Sequence, residues 1–235
     1  MLRGTIVGVR AVLWDMDGTL VDSEKLWDVA INKLYARHGR VLAPEVRDAT
    51  VGGSAEGVIR IVFDDLGLDP DPQEMAEVAD WMHDYVGELF ATGLPWCDGA
   101  RELLDALSAA GVPMALVTNT RRQLTENALN SIGREYFSVT VCGDEVPEGK
   151  PAPDVYLRAA ELLGLSAGEC LAVEDSVTGA AAAEAAGCAV LVVPNEVAVP
   201  GSPRRHHISS LIDLDIAQLR QIHAGLHLGR GERSA

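Results

Sequence analysis

Short apolar runs and longer amphipathic stretches alternate along the chain, and their order predicts its architecture. Residues 9–14 are an apolar run interrupted by Arg10, the pattern of a buried parallel strand. Trp27, Ala30, Ile31 and Leu34 then fall at i, i+3, i+4 and i+7. This spacing predicts an amphipathic helix over 23–38, with Asp22 or Ser23 as its cap and Gly39 at its end. The helical pattern persists to residue 92. Val58, Ile61, Val62 and Leu66 share a face, Asp69-Pro70-Asp71-Pro72 makes a turn, and Met75, Val78, Ala79, Met82, Val86, Leu89 and Phe90 mark a longer helix. No strand pattern appears between 23 and 92, so this block reads as a helical bundle of its own.

Beyond residue 93 the character changes. A helix capped by Asp98 carries Ala100, Leu103, Leu104 and Leu107 on one face. Strands are predicted at 112–117, 139–142, 170–173 and 189–193, with helices at 121–132, 153–163 and 177–186 between them. Strands alternating with helices imply a parallel sheet with right-handed crossovers. The predicted fold is therefore α/β. Residues 1–22 and 93–235 form a doubly wound, Rossmann-like core, and residues 23–92 are a helical bundle inserted after the first strand. Residues 199–207 read as a polar loop, 208–219 as a last short strand or helix, and the chain beyond 223 as a frayed tail.

Charge narrows the function. The formal net charge of −16 argues against nucleic-acid partners and against an anionic membrane surface. No run is long and apolar enough to span a bilayer, and the first ten residues lack a signal-peptide pattern. Cys97, Cys142, Cys170 and Cys188 are scattered, with no CxxC and no metal-ligand spacing, which suits core thiols in a reducing compartment. A cytoplasmic monomer or homodimer is expected. The charge also sets a condition. An acidic protein that handles an anionic substrate needs a metal ion or local cations beside it.

Candidate chemistry sits at the carboxyl ends of four predicted strands, which a parallel sheet gathers on one edge. The first site is Asp15 and Asp17, two apart on one strand face, with Gly18 letting the backbone turn away. Two such carboxylates suit magnesium, which takes oxygen ligands. They also suit chemistry in which one Asp attacks and the other handles protons. Ordinary turn chemistry explains the pair equally well, and the rest of the chain decides. The other three sites are Thr118-Asn119, Lys150 in Gly149-Lys150-Pro151-Ala152-Pro153-Asp154, and Glu174-Asp175. Each has a bland explanation as a helix cap, a solvated lysine or a dipole partner. Together they supply the nucleophile, cation and neutral donors that phosphoryl transfer requires.

These four segments, Asp15 to Ser23, Thr118-Asn119, Lys150 to Asp154 and Glu174 to Gly179, resemble the motifs of the haloacid dehalogenase-like phosphatase superfamily in order and spacing. The resemblance covers residues 9–200, and the block 23–92 stands where that family inserts its helical cap. It implies that Asp15 is the nucleophile and Asp17 the general acid and base. Thr118 and the Asn119 amide would hold phosphoryl oxygens, and Lys150 would neutralise the nucleophile–phosphate pair. Magnesium would be held by Asp15, the Asp17 backbone carbonyl and Asp175, with Glu174 acting through water. Gly52-Gly53-Ser54, between cap helices, is a candidate specificity loop.

The implied activity is magnesium-dependent hydrolysis of a small phosphorylated metabolite. A hexose phosphomutase of the β-phosphoglucomutase type is the alternative, but Trp27 and Ala55 stand where such mutases carry a histidine and a basic residue. A dehalogenase has no need of Asp17, and a silent binding protein has no need of the whole set. Trp27 and Trp81 could line the pocket, but their helical spacing fits the core of the bundle better; Trp96 fits a hinge, and His206 and His207 a solvated loop.

Overall fold

Six parallel strands form the centre of the molecule in the computed structural model, which describes residues 8–50, 55–91, 93–195 and 197–228. They are β1 (Ala11–Trp14), β2 (Met114–Val117), β3 (Val139–Val141), β4 (Cys170–Glu174), β5 (Ala189–Val192) and β6 (Arg205–His207). Their order is β3-β2-β1-β4-β5-β6, so the winding reverses between β1 and β4. Ligands of open α/β sheets bind at such a reversal, outside the carboxyl ends of the strands.

Alternation along each strand divides the core between two faces. Val12 and Trp14 of β1 join Leu116, Leu171 and Val173 in one cluster, completed by leucines of α5 (Ala100–Ala109) and α6 (Arg122–Ile132) and by Leu219 of α9 (Ile216–Leu228). Ala11 and Leu13 join Ala115, Val117 and Ala172 in the other, under α7 (Asp154–Leu162) and α8 (Val177–Ala186).

Between β1 and α5 run α1 (Glu24–Arg37), α2 (Pro44–Thr50), α3 (Ala55–Leu66) and α4 (Pro72–Ala91), with no strand among the described residues of this stretch. Ile31, Leu34, Tyr35, Val62, Phe63 and Met82 are buried among these helices. Two chain segments join them to the sheet. The Cys97 amide donates to Leu20 O (2.9 Å), and the Asp22 amide donates to Pro95 O (2.9 Å). Val21 bridges Trp96 there, so Trp96 packs at the junction as expected. The Ser131 hydroxyl also donates to Phe90 O at 3.2 Å, tying α4 to α6.

Four local expectations are corrected. Ser23 occupies the N-cap position of α1, but its side chain makes no cap bond; it is drawn elsewhere, as described below. Gly99, not Asp98, precedes α5, with φ 81°. A Cβ there would lie 2.4 Å from the Ile212 amide nitrogen, so close backbone approach selects glycine. Residues 205–207 are an edge strand rather than loop. Its pairing rests on backbone groups, such as the Ile208 amide donating to Val192 O (3.0 Å), and polar side chains at an edge do not oppose this. Finally, α9 carries ordered helix past His223, which is fully buried, to Leu228.

Candidate active site

The β1 carboxyl end delivers Asp15 to the reversal point, and the β4 end delivers Glu174 and Asp175. Carboxylate oxygens of these three residues lie within 4.8 Å of one another. Lys150, on the loop after β3, enters from the side. Its ammonium donates to Asp15 Oδ1 (2.5 Å), Glu174 Oε1 (2.7 Å) and Val117 O (2.9 Å), and its side chain is only 4% exposed. Tyr156, on α7, donates its hydroxyl to Glu174 Oε1, and its ring centroid lies 5.3 Å from the Lys150 ammonium.

One ammonium thus faces three carboxylates. Burial pushes the Asp15 carboxyl up to about 7 against the pull of Lys150, with Glu174 and Asp17 adding to the rise. Burial, then Asp15 and Glu174, push Asp175 up to about 9. Burial disfavours the Lys150 charge, but Asp15 and Glu174 more than offset this and hold it protonated. A cluster with surplus negative charge and hard oxygen donors suits a divalent cation. Two glycines leave room for it. A Cβ on Gly18 (φ 82°) would lie 2.1 Å from Asp175 Oδ2, and one on Gly179 would lie 2.0 Å from Glu174 Oε2.

Asp17 is held apart from this cluster by hydroxyl groups. Ser23 donates to its Oδ1 (2.6 Å); Thr120 (2.7 Å) and Thr118 (3.3 Å) donate to its Oδ2. Asn119 turns one amide donor onto Lys150 O (3.0 Å) and accepts from the Lys150 amide (2.7 Å). It therefore clamps the lysine loop onto the β2 loop. Gly143 and Gly149 allow this, since a Cβ on either would lie under 3 Å from Asn119 atoms.

The structure brings Asp15, Asp17, Thr118, Asn119, Lys150, Glu174 and Asp175 to one sheet edge. Gly52, Gly53 and Ser54 lie outside the described residues. Sequence reasoning missed Ser23, Thr120 and Tyr156 as parts of the site. Thr120 follows the Thr118-Asn119 pair and was the readable signal. Ser23 resembled a helix cap and Tyr156 a core aromatic.

A cavity of about 520 Å³ lies between the sheet edge and helices α1–α4. Asp17, Asn119 and Thr120 line it from the core. Trp27, expected in the bundle core, lines it from α1, with its ring edge-on to His83 (centroids 5.3 Å apart, 83° between planes). Trp81 instead stacks on Tyr85 and lies 3.6 Å below the Arg37 guanidinium.

Fold and site together define a doubly wound α/β protein with an acidic, lysine-bearing centre at the point where the strand order reverses. A family model described as haloacid dehalogenase-like hydrolase matches residues 9–187, and the chain belongs to that family. Protein CbbY of Rhodobacter capsulatus is 34% identical, the match covering 80% of this chain and 86% of the relative. Hexitol phosphatase A of Escherichia coli is 34% identical over 91% of this chain and 93% of its own length. The crystal structure of CbbY from Rhodobacter sphaeroides in complex with xylulose-(1,5)bisphosphate superposes with a TM-score of 0.76 at 28% identity, covering 90% of this chain and 99% of that one. The chain is an enzyme of the phosphoric monoester hydrolase type, as its named phosphatase relatives are.

Proposed function

We propose that this enzyme is a magnesium-dependent phosphatase that hydrolyses a small phosphorylated metabolite through an aspartyl-phosphate on Asp15. The observation that carries this reading is the buried cluster at the reversal point, where Asp15 meets Lys150 beside Glu174 and Asp175. Relatives named hexitol phosphatase A, phosphoglycolate phosphatase and probable pseudouridine-5′-phosphatase support small phosphomonoesters as the class, polyol, acid and ring-bearing alike.

In the first step an Asp15 oxygen attacks phosphorus and the ester oxygen departs, taking a proton from Asp17. In the second, Asp17 takes a proton from water, which attacks the same phosphorus and releases Asp15. Splitting the displacement in two lowers each barrier. Lys150 offsets the charge of the nucleophile–phosphate pair, and the Thr118 hydroxyl and Asn119 amide hold phosphoryl oxygens. Ser23 and Thr120 fix Asp17 for its proton transfers, and the Thr118 hydroxyl, on Asp17 at 3.3 Å in the free enzyme, turns to the phosphoryl group when it binds. Asp15, the Asp17 carbonyl and Asp175 would hold magnesium, with Glu174 completing the acidic side; the ion, when bound, neutralises charge that develops on the phosphoryl group. Helices α1–α4 act as the cap that covers the site and excludes water.

Hydrolysis is favoured over phosphomutase chemistry by the surroundings of Asp17, whose hydrogen-bond partners among the described residues are hydroxyls, with no imidazole among them. The test is Asp15→Asn, which changes the shape of the side chain little. Wild type with magnesium releases phosphate from phosphomonoesters and gains the mass of one phosphoryl group in rapid quench. The variant does neither. Phosphate release by the variant at the wild-type rate would refute the covalent route.

A further inference from the structure

The wall opposite Asp17 is the surface that meets the leaving group. Ile31, Val58, Ile59 and Met82 give it an apolar character, and Trp27 lies among them. Asp28 and Thr50 on this wall are engaged within the protein. Both Asp28 carboxylate oxygens accept from Arg47, at 2.9–3.1 Å. The Thr50 hydroxyl donates to Arg47 O at 2.7 Å. His83 differs. Its Nδ1 lies 2.7 Å from Ala79 O, so Nδ1 carries the hydrogen of that bond and Nε2 is the ring nitrogen the bond does not use.

Charge at the mouth points the same way. Arg121 lines the cavity beside Asp144, and also lines an adjoining cleft with Asp80, Asp84 and Glu88. A second phosphate entering there would meet these carboxylates as well as Arg121. The hydroxyls of a polyol would lose water against an apolar wall that offers few partners, at a cost for each one. A planar ring loses nothing comparable and gains contact with the Trp27 indole.

We propose that the leaving group is a planar, unsaturated ring bearing one hydrogen-bond donor, carried on a monophosphate ester. The ring packs against Trp27, and the donor reaches His83 Nε2. This rests on the phosphatase reading above and narrows its substrate class, away from polyol phosphates and sugar bisphosphates.

The test measures kcat/KM with magnesium for pyridoxal 5′-phosphate and benzyl phosphate as ring esters. Glycerol 3-phosphate, glucose 6-phosphate and fructose 1,6-bisphosphate are the comparison. The expected result is a preference for the ring esters of about tenfold or more, the scale of one well-buried contact. Trp27→Leu, which keeps an apolar side chain, should shrink the ratio of ring to polyol ester several-fold. His83→Phe should shrink the preference for pyridoxal phosphate over benzyl phosphate, which lacks the donor. A polyol phosphate or bisphosphate turned over as well as the ring esters overturns the proposal, as do ratios unmoved by both variants. Absence of phosphate release from every ester, p-nitrophenyl phosphate included, overturns the phosphatase reading and this proposal with it.

Discussion

Replacing Lys150 by methionine tests the electrostatic account of the site most directly. The ammonium is buried and donates to Asp15, Glu174 and the Val117 carbonyl. Methionine fills similar volume but leaves two buried carboxylates without their counter-charge and one carbonyl without its donor. Removing one partner of a buried ion pair costs about 3–5 kcal/mol. For a chain of this size that corresponds to a fall in Tm of about 6–20 °C. The loss depends on pH in a definite direction. Asp15 is already raised from 3.8 to about 7 with the lysine present, and without it the Asp15 carboxyl holds its proton still more firmly. The folded state then binds more protons than the unfolded one over that interval, so stability falls as pH rises through it. Urea unfolding in EDTA should show the deficit at pH 8 and a smaller one at pH 5. A deficit under about 1 kcal/mol at pH 8 would mean that the lysine is not a buried counter-ion. A deficit equal at both pH values would locate the lost energy in packing rather than charge.

Other consequences follow from the same geometry. In metal-free wild type, Asp15 and Asp175 are raised to about 7 and about 9, so the Tm should fall from pH 5 to pH 9; magnesium should restore it most at the alkaline end, and indifference to magnesium at pH 8 would contradict the assigned site. Ser23→Ala removes a 2.6 Å bond to Asp17; kcat should drop about tenfold or more, the scale of one charge-assisted hydrogen bond, with Ser23→Thr recovering part and far-ultraviolet circular dichroism unchanged. Gly18→Ala places a Cβ 2.1 Å from Asp175 Oδ2 at a φ of 82°; the magnesium concentration for half-maximal turnover should rise at least several-fold, and an unchanged value would remove Asp175 from the metal site.

Much of this was legible before the fold. The apolar runs predicted five of the strands, because burial on both faces of a parallel sheet demands continuous apolar segments, and the helical periodicity predicted helices between β1 and α5. Residues 205–207 escaped because an edge strand pairs through its backbone and leaves no hydrophobic trace. Asp98 was misread because a cap residue looks the same whether or not the backbone beside it is crowded, and Gly99 faces residues 211–212 from a distant part of the chain.

By itself the sequence determined the fold class and the set of chemical groups. A parallel α/β pattern sends all strand ends to one edge, so Asp15, Thr118, Lys150 and Glu174 had to gather there whatever the details. Only the tertiary structure decided what each group does to its neighbours. It turned the Asn119 amide onto the lysine loop and put Ser23 on Asp17 rather than on its own helix. It set Tyr156 beneath Glu174 and stood Trp27 and His83 in the cavity wall. Those outcomes depend on distances between residues far apart in the chain, or on competition for one hydrogen bond, and neither is encoded in local periodicity.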